Sequence, residues 1–509
     1  MRPVLTAAET QELDRRTEER GISIEQLMER AGMGVAREAV RVAGGAYGRR
    51  LVAVCGGGNN GGDAIVAARL ASAWGLRAMV VLLADPERLR EPAGANLRRL
   101  ERAGVGWVGL GALGRELARA DVVLDGLFGS GFRGEPEGAY REAIEAMNAA
   151  GAPVVAVDIP SGVEGDTGAV RGPAVRAVAT VAFGAPKVGG VLYPGAGLAG
   201  RVEVVDIGFP EELVVSDLHL VEASDVRALL PVRDAEAHKH RSGDVLVIAG
   251  SRRMAGAPRL VAEGAYRAGA GLVTIAVPEG ILPVVQAGMA EAVYLPLPEG
   301  PSGSVAAEAW DTLLERMERF DAIAIGPGLS IDEETPAFVR RLVREAPVPV
   351  VADADAINAF VDRVAEIGDR AEDLVLTPHA GEFGRLFGMP ARELTDDRVG
   401  FTRKAAADTG AAVVLKGPRT LIGLPDGTVR VNPTGSPALA TGGTGDVLAG
   451  AIATYLARGL GGADAATVGA FVHGLAGEAV GGRLGEGGTA PDVALAIPAA
   501  VGAVLEGAR

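Results

Sequence analysis

Cysteine is almost absent from this sequence, with Cys55 alone among 509 residues. A single cysteine excludes intrachain disulfides and is typical of a reducing compartment, so we expect a cytoplasmic protein. Because Cys55 ends an apolar run, we interpret it as a packing residue and not as a nucleophile. No apolar run is long enough for a membrane span, and the charged start MRPVLTAAETQELDRR is not a signal peptide.

Lysine is also scarce, and arginine carries most of the positive charge. The formal net charge is −15 without a basic block, which argues against a nucleic-acid partner. Arginine cannot replace a compact ammonium everywhere, so each lysine is a candidate functional residue. The lysines are Lys187, Lys239, Lys404 and Lys416.

Aromatic residues make up only 4% of the chain, whereas glycine and alanine are abundant. Small residues suit helix–sheet contacts in α/β proteins, and the length predicts two or three domains. Strand-like runs such as LVAVC and DVLVIAGS alternate with helical segments, which predicts largely parallel sheets with helices on both faces. The pattern lapses near 215–222, where we place a domain boundary, and from about 440 onward we expect mostly helix.

A glycine-rich loop follows the first strong strand in LVAVCGGGNNGGDAIVAARL (51–70). The spacing GxGxxG between a strand and a helix fits a dinucleotide-binding loop, but a carboxylate at Asp63 is out of place beside a pyrophosphate. Asn59 and Asn60 offer carbonyl oxygens, so a hydroxylated ligand, or a cation beside one, is a second interpretation. The plainest alternative is a tight turn in which Asp63 caps the helix.

Polar residues follow three further strand-like runs of the first half. Asp125 precedes a glycine-rich loop that holds Arg133, Asp158 and Ser161 flank a turn-forming proline, and Lys187 follows FGAP. Carboxyl ends of parallel strands gather functional residues, so we expect these side chains to converge with the loop at 56–63. Turn chemistry is the alternative for each of them taken alone.

These motifs together carry a resemblance. GGGNNGGD, LDGLFGSGFRG, VDIPSGV and FGAPK resemble the N-terminal domain of bifunctional NAD(P)H-hydrate repair enzymes, a Rossmann-type, three-layer NAD(P)HX epimerase. The resemblance implies that residues 1–218 form this domain and that a potassium ion is held by Asn60, Asp125 and Ser161. It also implies a set of substrate-binding residues: Asn59, Asn60, Gly61, Gly62, Asp63, Gly129, Ser130, Gly131, Phe132, Arg133, Gly134, Glu135, Tyr140 and Asp158.

The chemistry of the implied substrate explains why a carboxyl group is needed there. The hydrate carries a hydroxyl on the carbon beside the ring nitrogen, whose lone pair expels the hydroxyl once an acid protonates it. Water then returns to the other face of the ring while a base takes its proton. We assign both roles to Asp158, and Lys187 is either an electrostatic helper or a phosphate contact.

The second half contains the stretch NPTGSPALATGGTGDVLAGAIATYLARG (432–459). Gly442, Gly443 and Gly445 lead into a helix that we expect to begin at Asp446, and free N–H groups at such a helix start form an anion hole. A carboxylate beside that hole suits a base that takes a proton from a hydroxyl being phosphorylated. The alternative is an N-cap aspartate.

This half is similar to the ribokinase-like superfamily and, more narrowly, to ADP/ATP-dependent NAD(P)HX dehydratases. The matching stretches are AHKHRSGDVLVIAGS, MAGAPRL, IGPGL, DADAIN, LTPHAGEF, LKGPRT and GGTGD. The resemblance implies that residues 222–509 form a dehydratase domain with two sets of binding residues. The hydrate would contact Ala257, Gly328, His379 and Asp446, and the adenine nucleotide would contact Lys416, Gly417, Pro418, Arg419, Thr420 and Gly445.

The implied reaction is phosphorylation of the hydrate hydroxyl, with Asp446 as the base, followed by loss of phosphate. ADP or ATP is the co-substrate, and its phosphates need Mg²⁺. His238 and Lys239 are either near phosphate or part of a solvated turn. Asp353 and Asp355 are either metal-linked or structural.

The sequence therefore predicts a bifunctional enzyme that epimerises R- and S-NAD(P)HX and dehydrates the S form to NAD(P)H. The alternative is a ribokinase-like small-molecule kinase fused to a non-catalytic, nucleotide-binding Rossmann-type module, which would release a stable phosphorylated product. The choices between ADP and ATP, and between NADHX and NADPHX, stay open. We also expect a homo-oligomer, which the alanine-rich helices permit without specifying.

Overall fold

The computed structural model of the protein describes residues 1–233, 242–332, 334–368, 370 and 372–507. Its contacts divide the chain into two compact units, Arg2–Leu218 and His219–Arg509, the second of which includes Met1. Within the described ranges, no helix is both long enough and apolar enough to cross a membrane.

The first unit consists of alternating strands and helices. Its strands are β1 (Arg2–Pro3), β2 (Arg50–Cys55), β3 (Arg77–Leu82), β4 (Gly106–Gly109), β5 (Val122–Gly126), β6 (Val154–Val157), β7 (Ala179–Phe183) and β8 (Arg201–Val205). Its helices are α1 (Ala7–Glu19), α2 (Ile24–Val42), α3 (Asn59–Ala73), α4 (Ala93–Arg102), α5 (Leu113–Leu117), α6 (Gly138–Ala149) and α7 (Val188–Val191).

The sheet of the first unit is parallel and follows the order β4-β3-β2-β5-β6-β7-β8. The order reverses between β2 and β5, as in doubly wound Rossmann-type sheets, and ligands of such sheets bind in the crevice at that reversal. The loops that follow β2 and β5 border this crevice, and these are the glycine-rich loops singled out in the sequence.

Helices cover both faces of this sheet because alternate strand residues enter two separate hydrophobic clusters. Val52 and Val54 of β2 pack with α5 and α6, whereas Leu51 and Ala53 pack with α2, α3 and α4. Cys55 is fully buried at the end of β2, and burial raises the pKa of its thiol. The predicted packing role of this cysteine and the predicted three-layer arrangement are therefore confirmed.

The second unit has a longer sheet. Its strands are β9 (Leu218–Leu220, at the boundary), β10 (Asp244–Ile248), β11 (Leu272–Pro278), β12 (Val293–Leu297), β13 (Ala322–Ile325), β14 (Val350–Ala352), β15 (Leu374–Leu376), β16 (Ala412–Leu415), β17 (Leu421–Gly423) and β18 (Val429–Val431). Its helices are α8 (Ala223–Leu229), α9 (Ala257–Ala268), α10 (Leu282–Gln286), α11 (Ala309–Leu314), α12 (Glu334–Glu345), α13 (Asp355–Asn358), α14 (Ala380–Leu386), α15 (Arg398–Thr409), α16 (Thr444–Ala457), α17 (Gly462–Leu484) and α18 (Ala490–Glu506).

In this sheet β12-β11-β10-β13-β14-β15-β16 are parallel, and β17 and β18 continue it in antiparallel fashion. Helix α16 packs closely on α9, since a Cβ on Gly264 or Gly450 would collide with the backbone of the opposite helix. This packing places the start of α16 near the loops after β14 and β16. The predicted α/β class and the predicted helical C-terminal part are confirmed.

Candidate active sites

A cavity of about 560 Å³ lies at the carboxyl ends of the strands in the first unit. Residues of the loops after β2 and β5 line it, so it lies where the strand order reverses. The residues predicted to bind a hydrate that line it are Asn59, Asn60, Asp63, Gly129, Ser130, Gly131, Phe132, Tyr140 and Asp158. The structure therefore brings together side chains from four separate stretches of the sequence.

The other predicted hydrate-binding residues shape the cavity without lining it. Gly61 and Gly62 lie in the first turn of α3, where a Cβ would collide with the Gly56 carbonyl or with Met28. Three residues of the loop after β5 make contacts within the protein. Arg133 pairs with Asp166, the Gly134 N–H donates to Glu164 Oε1 at 3.1 Å, and Glu135 pairs with Arg141.

Helix α3 begins at Asn59, and Gly58 is its N-cap residue. Asp63 lies buried inside the helix and not at its start, so the alternative in which Asp63 caps a turn is wrong. Burial raises the pKa of Asp63 well above its usual range, and the carboxyls of Asp158 and Asp14 add to the shift. A carboxyl group in these surroundings is favoured in its neutral form.

Aromatic rings form one wall of the cavity. The Phe128 ring stacks on Phe132 with 4.5 Å between centroids and on Tyr140 with 4.8 Å. Aromatic walls of this kind accept flat, partly apolar ligand rings by stacking. The two phenylalanines of this wall are the second and last residues of the sequence LFGSGF.

Asp158 and Lys187 form a buried ion pair at the floor of this cavity. Lys187 Nζ lies 3.0 Å from Asp158 Oδ1 and donates to the carbonyls of Phe183 at 2.9 Å and Ala185 at 3.0 Å. Only 1% of the Lys187 side chain is exposed, and Asp158 has a positive φ of 63°. A non-glycine residue held at such a φ is typical of functional sites. Of the two roles predicted for Lys187, the geometry favours the electrostatic one.

Asn60 and Ser161 contact the Phe128 backbone, and Asp125 is joined to it through Ser161. Asn60 Nδ2 donates to the Phe128 carbonyl at 2.8 Å, and the Phe128 N–H donates to Ser161 Oγ at 2.9 Å. Ser161 donates to Asp125 through its hydroxyl at 2.6 Å and through its N–H at 2.7 Å. Burial raises the pKa of Asp125 to about 6, although the Ser161 bonds oppose the shift. The group offers oxygen atoms from a carboxyl, a hydroxyl, an amide and a backbone carbonyl.

Helix α1 also contributes to the cavity, which its sequence did not reveal. Thr10, Gln11 and Asp14 line it from this helix. Burial raises the pKa of Asp14 to about 6, with Lys187 opposing and Asp158 supporting the shift. The available signal was the pair of polar residues Thr10 and Asp14 at positions i and i+4, which are neighbours on one face of a helix. Which way that face turns depends on tertiary packing.

The second site lies at the start of α16. The helix begins at Thr444 and has Gly443 as its N-cap, so Asp446 is its third residue and not its first. The prediction that the helix begins at Asp446 and the N-cap alternative are therefore both wrong. Gly443 has a φ of 87°, which a residue with a side chain rarely adopts, and this turn frees N–H groups of the first helical turn.

Asp446 shares its surroundings with a buried cluster of charges. Lys416 Nζ lies 2.7 Å from Asp353 Oδ1 and 3.9 Å from Glu382 Oε2. Burial, followed by the Asp353 carboxylate, raises the pKa of Asp446 to about 7, while Lys416 opposes the shift. Burial works against the charge of Lys416, but Asp353 and Glu382 outweigh it and raise its pKa. The cluster thus combines a fixed cation with a carboxyl group poised to exchange a proton near neutral pH.

The predicted hydrate-binding residues of the second unit start or border its helices. Ala257 opens α9, and a Cβ on Gly328 would come within 3.2 Å of the Ala257 Cβ, so these two positions are neighbours. His379 caps α14, where its Nδ1 accepts the N–H groups of Gly381 at 2.9 Å and Glu382 at 3.3 Å. Its Nε2 lies 3.4 Å from Glu382 Oε1, and 54% of its side chain is exposed. Its exposed edge can therefore still reach a ligand.

The predicted nucleotide loop runs from Lys416 through Gly417, Pro418 and Arg419 to Thr420. Arg398 Nη1 donates to the Pro418 carbonyl at 2.6 Å, and Nη2 donates to the Arg419 carbonyl at 3.2 Å. Arg398 thus holds the loop from α15, a role that its sequence position did not reveal. Gly445 lies next to the Lys416 ammonium, and a Cβ there would come within 3.2 Å of Lys416 Nζ.

The carboxylates of Asp353 and Asp355 both accept hydrogen bonds from other described residues, which suits a structural role. Asp353 accepts from Thr377 Oγ1 at 2.7 Å in addition to Lys416, and Asp355 accepts the Ser330 N–H at 2.9 Å. No cluster of three or more His, Cys, Asp or Glu side chains that could hold a metal ion occurs among the described residues. His238 and Lys239, for which the sequence predicted a place near phosphate or in a solvated turn, lie outside the described residues.

Comparison with known proteins connects both sites to one family. A family model described as NAD(P)H-hydrate dehydratase matches residues 245–498, and one described as YjeF-related protein N-terminus matches residues 24–189. The bifunctional NAD(P)H-hydrate repair enzyme of Moorella thermoacetica is 43% identical over 486 residues, which cover 93% of this chain and 92% of that protein. The chain belongs to the family of bifunctional NAD(P)H-hydrate repair enzymes.

A further member of this family, from Thermofilum pendens, is 42% identical over 95% of this chain and 93% of its own length. Among solved structures, the ADP/ATP-dependent NAD(P)H-hydrate dehydratase of Bacillus subtilis, co-crystallised with ATP and Mg²⁺, matches with a TM-score of 0.51 and 34% identity. The match covers 57% of this chain and 100% of that one. The predicted family, its enzyme class, and the Rossmann-type and ribokinase-like folds of the two units are confirmed.

Proposed function

We propose that the chain repairs hydrated nicotinamide dinucleotides with two activities, one in each unit. Residues 1–218 interconvert R- and S-NAD(P)HX, and residues 222–509 convert the S form to NAD(P)H at the expense of ADP or ATP. The observation that carries the proposal is the Asp446 carboxyl, whose pKa of about 7 and place in the first turn of α16 suit a base beside an anion hole.

Epimerisation takes place in the cavity of the first unit. The loops at 59–63 and 129–135, together with Tyr140, bind the hydrated dinucleotide, and the wall of stacked aromatic rings accepts a flat ring. Asp158 is the acid–base residue next to the reacting carbon. The Lys187 ammonium, 3.0 Å away, fixes its position and supplies positive charge without reaching solvent.

Potassium fits the residues predicted to hold it. Asn60 and Ser161 contact the Phe128 carbonyl, Asp125 accepts hydrogen bonds from Ser161, and an alkali cation takes oxygen ligands of these types. When bound, the ion would supply positive charge beside the loops that carry the substrate. The proton transfers themselves belong to carboxyl groups of the chain.

Dehydration begins when Asp446 takes the proton of the hydrate hydroxyl. The freed oxygen attacks the terminal phosphorus of the nucleotide, which releases AMP from ADP or ADP from ATP. The ring nitrogen then expels phosphate, a far better leaving group than hydroxide, and loss of a proton from the neighbouring ring carbon to water restores the neutral ring of NAD(P)H. Ala257, Gly328 and His379 bind the hydrate. Lys416 to Thr420 and Gly445 bind the nucleotide, whose phosphates and water would hold Mg²⁺ and let it neutralise their charge.

The experiment that tests this proposal follows mixed R and S hydrates of NADPH, and separately of NADH, in parallel reactions with ADP and with ATP. We expect both epimers to disappear, and inorganic phosphate and reduced nicotinamide to appear in equal amounts. A stable phosphorylated product without reduced nicotinamide would support the small-molecule kinase instead. Cytoplasmic location and homo-oligomeric assembly stay predictions.

A further inference from the structure

The epimerase cavity holds a carboxyl group to which the mechanism above gives no role. Asp14 projects from α1 into the same cavity that Asp63 and Asp158 line. Among the described residues, no N–H or hydroxyl group donates a hydrogen bond to its carboxyl. A titratable group that lines a cavity and has no hydrogen-bond donor in the protein is a candidate to meet a ligand.

Inversion at the reacting carbon requires proton transfer on both faces of the ring. The hydroxyl leaves from one face of the ring, and water must add to the opposite face. Asp158 is held rigidly, by Lys187 at 3.0 Å, by the Phe183 N–H at 3.4 Å and by its own positive φ. A carboxyl fixed in this way serves one face of a bound ring, so a second group is needed for the other face.

We propose that Asp14 is the second acid–base residue of epimerisation, acting on the ring face that Asp158 does not reach. This inference rests on the proposed epimerase function of the first unit. Asp14 comes from a helix and Asp158 from a strand end, so the two carboxyls approach the cavity from different elements. Thr10 and Gln11, on the same face of α1, would border the oxygen that Asp14 serves.

The surroundings of Asp14 support a proton-carrying role. The titratable side chains that face the cavity with it are Asp63 from α3, Asp158 after β6, Lys187 before α7 and Tyr140 from α6. Burial raises the pKa of Asp14 to about 6, with Lys187 opposing the shift and Asp158 adding to it. Near neutral pH the group therefore exists in both forms, which a residue that acts as acid in one direction and base in the other requires.

The step balances with these two groups alone. The Asp14 carboxyl gives its proton to the hydrate oxygen. The C–O bond then breaks, and its bonding electron pair stays on the oxygen, which leaves as water. The ring nitrogen lone pair forms a C=N bond, which makes the ring cationic. Water then adds to the other face through an oxygen lone pair, the C=N electrons return to nitrogen, and Asp158 accepts the proton. The reverse direction exchanges the two roles.

The test compares Asp14→Asn with the wild type in the full chain. Asparagine keeps the shape of the side chain but carries no transferable proton, so we expect kcat for epimer exchange to fall about 100-fold or more, with little change in KM. The alkaline limb of the wild-type pH profile, which falls as Asp14 loses its proton above about 6, should disappear in the variant. Dehydration of the S hydrate should proceed at the wild-type rate, and the chemical denaturation curve of the first unit should match that of the wild type, which shows that this unit is folded.

Glu18→Gln is the matched control, because Glu18 is an exposed carboxylate on the same helix outside the cavity lining. It should exchange epimers like the wild type. Asp14→Glu returns a carboxyl and should recover part of the lost rate, and a Glu variant as slow as the Asn variant would overturn the inference. An Asn variant with the wild-type kcat and pH profile, or with a raised KM alone, would overturn it too. If the wild type itself exchanges no epimers, the proposed function fails instead.

Discussion

At the scale of single residues, the second site depends on how Asp446, Asp353 and Lys416 share charge. Asp446 must be deprotonated to act as a base, and burial and Asp353 raise its pKa to about 7. We therefore expect the dehydration rate to rise as the pH rises through about 7. Asp353→Asn removes a carboxylate that raises this pKa, so the acid limb of the pH–rate profile should move to lower pH.

Steady-state rates across the pH range check this prediction. Asp426→Asn is the control, because Asp426 is exposed in a turn, where it accepts the Thr428 N–H at 2.9 Å. This control should leave the acid limb in place. An acid limb that does not move in Asp353→Asn would contradict the account of the charge cluster.

Lys187 gives a second prediction at the residue scale. Lys187→Met keeps much of the apolar stem but removes the ammonium, which leaves Asp158 buried without its partner and two carbonyls without a donor. Breaking a buried ion pair on one side costs about 3–5 kcal/mol. We expect the free energy of unfolding of the first unit, from chemical denaturation, to fall by that amount.

Lys404→Met is the matched control for Lys187→Met. Lys404 pairs with Asp408 at 2.5 Å on the exposed surface of α15, and exposed pairs of this spacing contribute about 0.3–0.5 kcal/mol. If both variants lost the same small amount of stability, Lys187 would not be the buried anchor of Asp158 described here.

Several site residues could be predicted individually, and others could not. Asp125 lies near the end of β5, Asp158 and Lys187 follow β6 and β7, and the rule that functional residues gather at strand ends predicted these places in the fold. Asp14 and Arg398 lie on helices, and a helix position shows its direction only after the helix has packed. The charges of Lys416 and Asp353, 63 positions apart in the chain, meet only in the folded sheet.

At the scale of elements, the start of α16 determines the geometry of the second site. Gly443 has a φ of 87°, and a Cβ there would come within 2.5 Å of Leu260 Cδ1 and 3.2 Å of Ala490 Cβ. Gly443→Ala should therefore cost at least about 1–2 kcal/mol from the backbone conformation alone. It should also slow dehydration, since the N–H groups of the turn would shift.

Denaturation curves and dehydration rates of the same preparation check this prediction. Gly502→Ala is the control, because Gly502 lies inside α18 and a Cβ there would enter open space. Alanine in a helix interior should raise the stability by about 0.5–1 kcal/mol without a kinetic effect. A Gly443→Ala variant as stable and as fast as the wild type would show that the turn tolerates a side chain.

Among the elements, long apolar runs were readily predicted and short strands were missed. LVAVC and DVLVIAGS appear as strands close to their expected bounds. The short strands β4, β12 and β18 were not predicted, because their sequences contain tryptophan, proline or arginine in place of a continuous apolar run. Helix α16 begins at Thr444, two residues before the expected start at Asp446, because Gly443 is its N-cap.

At the scale of the whole molecule, each unit has its own set of parallel strands and its own hydrophobic clusters. The solved Bacillus subtilis dehydratase corresponds along its full length to part of this chain. We therefore expect residues 215–509, produced alone, to dehydrate the S hydrate with a KM for nucleotide close to that of the full chain. Loss of dehydration in a folded fragment, judged by circular dichroism, would mean that the first unit is needed for the chemistry.

The division of labour between the two units is the central claim, and the full-length Asp446→Asn variant tests it most directly. The variant is incubated with pure S-NADPHX and ADP, and the nicotinamide species are separated and counted over time. The account predicts that R-NADPHX appears at the wild-type rate, whereas reduced nicotinamide and inorganic phosphate do not form. Formation of NADPH at the wild-type rate, or failure of the R epimer to appear in a folded variant, would contradict it.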